Sequence, residues 1–292
     1  MHKIVIGTAN FNQRYGLSNF KFKKKEIKNK IIKTIKRSKI KYIDTAFDYN
    51  LSTNFIQSAN IKKFNIITKI KIPKRNTIKF FKNIRMQILK KIKAFEIKKL
   101  EAVLFHETKD LNHSNGFKLL KILQDLKKEG KIKKIGVSLY TSNDLKIVLK
   151  IFKPDIVQLP LNVFNQNLIR SKYFKIIKKR KISIQVRSIF LQGLLLKNID
   201  KLKKLKLNKM LFLNLINFDK WCIRNKISRI EACVYFIKNI KGINLITIGF
   251  NNQKEFNEIL KALKKNKKLN FRRFNLNSVI TDPRKWSIKK KI

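Results

Sequence analysis

Short runs rich in Ile, Val and Leu alternate with stretches of helical period from one end of the chain to the other, and this alternation constrains the fold more than any other feature. Runs of β type are read at 4–8, 42–46, 65–70, a run ending at His106, 132–138, 155–159, 183–187 and 244–249. Helical spacing fills the gaps at 24–38, a shorter stretch from 52, 77–95, 115–129, a helix opening behind Ser142, Asn143 and Asp144, 168–179, a helix capped by Ser228, and 253–265. Gly130 reads as a helix stop, and 198–225 reads as a less regular insertion. The β-type runs are apolar on both faces, as a parallel sheet covered by helices requires. Eight such units without interruption predict a closed α/β barrel, the (β/α)8 TIM barrel, as one domain over 1–292 with a tail, 266–292, packed on a barrel face. An open doubly wound sheet is the weaker reading, because no G-x-G-x-x-G follows the first run.

Composition narrows the class further. Apolar residues make up 43% of the 292 positions, enough for a sizeable core. No apolar run reaches the ~18 residues that cross a bilayer; the longest, 210–218, is broken by Asn214 and Asn217. The opening residues lack the pattern of a signal peptide, so a cytoplasmic protein with no membrane partner is expected. Cys222 and Cys233 fit neither a redox pair nor a zinc site, and both read as packing residues. Lys and Arg number 71 against 17 Asp and Glu, a net charge of +54 that raises polyanion binding. The lysines are nevertheless spread over the whole chain and rise together with Ile, Asn and Phe, as an A+T-rich coding sequence would produce. We therefore read the charge as compositional rather than as a nucleic-acid surface. The interleaved Phe80-Phe81-Lys82 and Phe271-Arg272-Arg273-Phe274 could stack single strands; at helical spacing the first is better read as a core face. No motif specifies an oligomeric state.

Four polar residues fall at or just after the ends of β-type runs: Asp44 and Tyr49 in I-D-T-A-F-D-Y, Lys69 after N-I-I-T, and His106 after E-A-V-L-F. Parallel barrels place their chemistry at the carboxyl ends of the strands. A free phenol has a pKa near ~10 and is a poor acid at neutral pH. An adjacent ammonium stabilises the phenolate and brings that value toward the working range. Asp44 would hold Lys69 charged, Tyr49 would exchange the proton, and a neutral His106 would orient a carbonyl oxygen. Taken singly, each has an ordinary structural reading: a strand-end cap, a rim aromatic, one surface lysine among many, a satisfied core histidine. Their joint placement on three successive strand ends favours a proton-transfer site. His2 and His113 have no metal-like partners in the sequence, and no metal is expected.

The strings G-T-A-N-F, R-Y-G-L, I-D-T-A-F-D-Y-N-L-S, T-K-I, L-F-H, G-V-S, V-Q-L-P-L-N-V-F, V-R-S-I-F-L-Q-G-L-L-L and D-P-R-K-W resemble the aldo/keto reductase family over nearly the full length. The middle and closing strings are most similar to a bacterial branch found among sugar and polysaccharide biosynthesis proteins. The resemblance implies hydride transfer from NADPH, with NADH not excluded, to a small-molecule carbonyl substrate, sugar-derived by the branch likeness. It makes Asp44, Tyr49, Lys69 and His106 the catalytic set and brings Gly7 and Thr8 to the cofactor. Ser138 and Gln158 match residues that bind the nicotinamide carboxamide, although Leu139 stands where the family usually has Asn. Arg187 takes the place of a ring-stacking aromatic, and Ser188, Phe190, Gln192 and Gly193 match the pyrophosphate turn. Gly249, Phe250, Asn251 and Asn252 match the adenosine-end loop at a helix start, and Glu258 an adenine contact. Glu255 stands where NADP-dependent relatives often carry an arginine, with Lys254 beside it as a substitute. Leu139 and Arg187 also leave room for a cofactor-binding barrel of low turnover serving regulation or assembly, and the charge for a polyanion binder. Substrate choice is expected in the loops 10–20 and 198–225.

Overall fold

The computed structural model describes residues 2–9, 11, 32–49, 64–111 and 113–286. Within them eight strands run parallel and close on themselves in chain order: β1 Lys3–Gly7, β2 Tyr42–Asp44, β3 Asn65–Ile70, β4 Ala102–Phe105, β5 Ile135–Ser138, β6 Ile156–Pro160, β7 Ser183–Arg187 and β8 Leu245–Ile248, with β8 pairing β1. The expected TIM barrel is the observed one. Closure leaves no strand edge unpaired, which removes the template for unwanted pairing.

Two apolar layers form. Inside the barrel Val5, Ile67, Ala102, Leu104, Ile156 and Leu245 make a small cluster of their own. The other parity of the same strands, with the helices, forms the large outer layer. Each fully buried aliphatic side chain contributes about 1.5–3 kcal/mol. The helices show why they form. In α2, Thr77–Ala94, the buried residues are Ile84, Ile88 and Ile92, one stripe at a spacing of four. Helix α3, Ser114–Lys128, follows β4, and α4, Ser142–Ile151, is closed by a capping box between Thr141 and Asp144, one residue ahead of the expected cap. Helix α9, Arg229–Lys238, has the expected Ser228 cap, completed by Glu231. Helix α10, Gln253–Lys264, is capped by Asn252.

Three expectations are corrected. The stretch 198–225 is helical rather than irregular: α7, Ile199–Lys203, is followed by α8, Lys209–Arg224. The buried residues Leu211, Leu215, Phe218 and Cys222 keep helical period, while Asn217 stands exposed on the outer side. The expected helix at 168–179 is two helices, α5 Asn167–Arg170 and α6 Lys172–Lys179. Ser171 is extended between them, its Oγ donating to the Leu168 carbonyl at 2.7 Å, which ends the first turn. Strand β5 starts at Ile135 rather than Ile132, which makes only an isolated bridge to Leu100.

Of the expected helix at 24–38, α1, Ile32–Arg37, is described; the stretch from 52 and most of the loop 10–20 lie outside the described residues. In the described part of the tail, 266–286, the Leu276 N–H donates to the Phe164 carbonyl at 2.8 Å. Phe271 and Phe274 are buried against Trp221 and Phe218, so this pair is core rather than a stacking surface. Phe80 and Phe81 are partly buried and meet edge to face. Both cysteines are free and buried.

Candidate active site

The site follows from strand parity. Side chains alternate faces along a strand, so the residue two positions beyond each interior apolar one also points inward, nearer the carboxyl end. Two beyond Tyr42 is Asp44; beyond Ile67, Lys69; beyond Ile156, Gln158; beyond Leu245, Thr247; beyond Val5, Gly7. A polar layer thus sits on the apolar plug. It lies at the base of a mouth cavity of about 120 Å³ lined by Gly7, Asp44, Tyr49, Lys69, Gln158 and Thr247, among others.

Asp44 is the hub of this layer. Lys69 Nζ donates to its Oδ1, while its Oδ2 accepts from Gln158 Nε2 at 2.6 Å and from Gln185 Nε2 at 2.9 Å. Gln185 also donates to Thr247 Oγ1 at 2.8 Å, and Lys69 to the Thr45 carbonyl at 3.0 Å. The Asp44 and Lys69 side chains are only 8% and 5% exposed, so neither charge has water as an alternative partner. Burial lowers the Lys69 pKa from the ordinary lysine range; the Asp44 carboxylate opposes this by charge and hydrogen bond, and the Arg187 guanidinium adds to the lowering. The ammonium therefore depends on Asp44 for its charge.

Tyr49 and Lys69 line the same cavity. His106 follows β4, with its ring edge-on to Tyr49 at 6.4 Å between centroids. Its Nδ1 lies 3.8 Å from Asp48 Oδ2 and has no hydrogen-bond partner among the described residues. His106 does not itself line the cavity.

The residues expected at a cofactor divide into two groups. Gln158, Arg187, Ser188, Phe190, Gln192, Gly193, Gly249, Phe250 and Asn251 join Gly7 on the cavity wall. Ser188, Leu191 and Gln192 take φ of 58°, 48° and 54°, and Gly193 takes 85°. Three consecutive left-handed residues make a tight concave turn that costs conformational energy, of a kind that clusters at ligand sites. Ala9, Ile189, Thr247 and Glu255 also line the wall.

Thr8, Ser138, Asn252, Lys254 and Glu258 do not. Thr8 is buried and donates through Oγ1 to the Asp44 carbonyl at 3.1 Å, supporting the hub from behind. Ser138 is buried beside Gln158 in register. Asn252 caps α10 by accepting from Glu255 N–H at 2.8 Å. Lys254 and Glu258 are exposed on α10.

Glu255 accepts from Asn251 N–H at 3.1 Å and Asn251 Nδ2 at 3.0 Å, fixing the loop after β8. Burial pushes its pKa up, against those hydrogen bonds. A second cavity, about 320 Å³, shares Gln192, Gly193, Asn251 and Glu255 with the first and adds Lys197 and Lys201. Burial, then the neighbouring Lys201, lowers the Lys197 pKa. Arg187 donates to the Leu139 carbonyl at 3.1 Å and lies over the Tyr140 ring at 4.4 Å. Arg284, held by Asp282, covers the same ring at 3.6 Å, so the tail is fastened at the mouth. Leu139 is buried in the core.

Sequence reasoning missed Gln185, Thr247, Lys197 and Lys201. Parity would have found the first two, since both lie inward on their strands; nothing local separates Lys197 and Lys201 from the other lysines of this chain. Among the described residues no group of His, Cys, Asp and Glu could hold a metal ion, and no helix is long and apolar enough to cross a membrane.

A closed parallel barrel with a buried ion pair beneath a cavity at the carboxyl ends of its strands has the design of a barrel enzyme. The Aldo/keto reductase family model matches residues 3–272, and the chain belongs to that family. It is similar to solved structures: an aldo-keto reductase of Bacillus halodurans in holo form (14% identity, 97% of this chain and 95% of that one, TM-score 0.73) and the glycerol dehydrogenase of Gluconobacter oxydans (17%, 91% and 87%, TM-score 0.70). An aldo-keto reductase from a Medee basin deep-sea metagenome library is similar too (17%, 94% and 91%, TM-score 0.66). At these identities the likeness shows the fold. No curated protein matches the chain.

Proposed function

We propose that this protein is an oxidoreductase that reduces an aldehyde or ketone with a nicotinamide cofactor, Tyr49 giving the proton. The observation that carries this is the seating of Tyr49 and Lys69 on one cavity wall above a carboxylate with three donors. The residues fit the cofactor. Gln158 lines the cavity with its buried Oε1 unpartnered among the described residues, an acceptor suited to a carboxamide N–H. At Gly193 and Gly249 a Cβ would meet nothing within 4 Å, so both backbones stand open to a phosphate. Gln158 and Arg187 would hold the nicotinamide end, Ser188 to Gly193 the diphosphate, and Asn251 with Lys197 and Lys201 the adenosine end. When bound, such a cofactor supplies the hydride.

The chain's own residues do the rest. Asp44 keeps Lys69 charged in a site whose burial favours the neutral amine. Charged Lys69 favours the phenolate, which makes Tyr49 Oη a better acid as the carbonyl oxygen gains charge. His106, edge-on to Tyr49 and off the cavity wall, holds the phenol in position. The two glutamine amides hold the carboxylate so that it cannot swing away from Lys69. We favour NADPH over NADH because Lys197 and Lys201 outnumber Glu255 on the second cavity wall. We favour a sugar-derived carbonyl from the branch likeness of V-Q-L-P-L-N-V-F and D-P-R-K-W.

Titration of Trp fluorescence with NADPH and NADH, followed by cofactor oxidation with a panel of aldehydes, ketones and sugar-derived carbonyls, tests the reading. Binding with carbonyl-dependent oxidation is expected, with the tighter constant for NADPH; replacing Lys197 and Lys201 by Ala should weaken NADPH more than NADH. Binding with no turnover across the panel overturns the enzymatic assignment.

A further inference from the structure

We propose a second ligand site, for a linear oligophosphate, on the face of the barrel opposite the mouth. A concavity of about 830 Å³ opens where β5, β6, β7 and β8 begin. Its basic lining residues are Lys133, Lys134, Lys153, Lys178, Arg180 and Lys181, six of twelve, against 71 of 292 in the whole chain. The mouth cavity has two among seventeen. Basic positions from three places in the chain, 133–134, 153 and 178–181, are thus gathered by the fold.

The carboxylates nearby do not neutralise them. Lys133 and Lys134 share one group, Glu101, at 3.2 and 3.5 Å. Asp155 is engaged by Lys127 at 2.5 Å and by the Ile135 N–H at 2.8 Å. Lys153, Lys178, Arg180 and Lys181 have no carboxylate within ion-pair distance among the described residues. Lys178 is also seated: a Cβ at position 242, where φ is +98°, would come within 2.8 Å of its Cε, so Gly242 makes the room its stem occupies. Its ammonium lies 5.8 Å from the Phe174 ring centre.

Like charges around a concave surface focus the potential and attract counter-charge. One phosphate would satisfy two or three of these cations; a chain of linked phosphates presents anionic groups at intervals and can meet the whole set. The volume lies in the range of small-ligand sites, roughly 300–1,000 Å³. This places the ligand class as oligophosphate, free or carried by a nucleoside.

The test is calorimetry with tripolyphosphate at about 0.15 M salt, where exposed charges beyond about 8 Å are screened. Two variants of equal charge are compared: K153A/R180A/K181A in the concavity and K82A/K90A/K93A on the exposed side of α2. All six positions are exposed, so both variants should fold. Wild type is expected to bind, the concavity variant to bind about tenfold more weakly, and the α2 variant within about twofold of wild type. A parallel titration with ATP tells a nucleoside carrier from the bare chain, and either preference supports the site. Equal losses in the two variants, or no binding, overturn the proposal. So does binding that survives in the concavity variant but is lost when Lys197 and Lys201 are replaced, since it then belongs to the mouth. Carbonyl reduction should be unchanged in both triple variants.

Discussion

Replacing the buried ion pair one partner at a time and then together should give strongly non-additive losses of stability. In D44N the Lys69 amine, 5% exposed, loses the carboxylate that keeps it charged and has only the Thr45 carbonyl and a neutral amide as partners, whether it keeps or sheds its proton. Breaking a buried pair from one side costs about 3–5 kcal/mol. In K69M the carboxylate keeps the amides of Gln158 and Gln185, at 2.6 and 2.9 Å, so the loss should sit at the lower end, about 3 kcal/mol. The double variant holds no charge; what remains is imperfect hydrogen bonding around the neutral amide that replaces the Asp44 carboxylate, again about 3 kcal/mol at most. A coupling of about 3 kcal/mol between the two sites follows. Urea unfolding followed by Trp fluorescence reads this: with a slope of about 3 kcal/mol/M, each single variant lowers the midpoint by roughly 1 M and the double by no more. A double variant that falls by the total of the two singles would refute the reasoning, because it would mean that Asp44 and Lys69 do not depend on each other.

Three further outcomes are expected. G136A should lose at least about 3 kcal/mol or fail to fold, since its Cβ would stand 2.0 Å from the Ile156 carbonyl, a backbone atom of the paired strand; a midpoint near wild type in chemical denaturation would show that β5 and β6 can separate at no cost. Burial raises the Glu107 pKa, but hydrogen bonds from Lys109 and Lys71 outweigh it and hold the carboxyl at about 2 against an ordinary 4.5. This contribution to stability is complete above pH 4.5 and is lost as pH falls through 2, so E107Q should fall less steeply than wild type over that window in acid-unfolding curves. E255Q removes a carboxylate from the wall shared by the two mouth cavities and should tighten NADPH relative to NADH by about tenfold in fluorescence titrations, a change that would be absent if no phosphate comes near it.

Much of this molecule is legible in the chain because its parallel strands are buried on both faces and announce themselves as apolar runs. Strand β7 has the bounds the sequence predicts, 183–187, and the helix over 77–95 is one residue shorter. The hidden parts are those in which a local signal is outweighed. Asn214 and Asn217 break the apolar look of α8, yet both tolerate a helix whose buried stripe runs past them. Ser171 interrupts a good helical pattern through one side-chain hydrogen bond. At the site, Asp44, Tyr49 and Lys69 were readable because strand ends are readable. Gln185 lacks the strand-end mark, and only its inward parity in a Val- and Ile-rich strand pointed to it; its partner, Asp44, is set when the barrel closes. The clustering of Lys153, Arg180 and Lys181 is likewise a property of the closed ring, which brings the starts of β6 and β7 together.

Turnover of Y49F is the most direct measure of the central claim, that the phenol of Tyr49 beside charged Lys69 transfers the proton. General-acid catalysis contributes roughly 10²–10⁴-fold, so kcat should fall by about that factor while the cofactor dissociation constant stays within about twofold of wild type. A Y49F enzyme with kcat within about threefold of wild type would contradict the account.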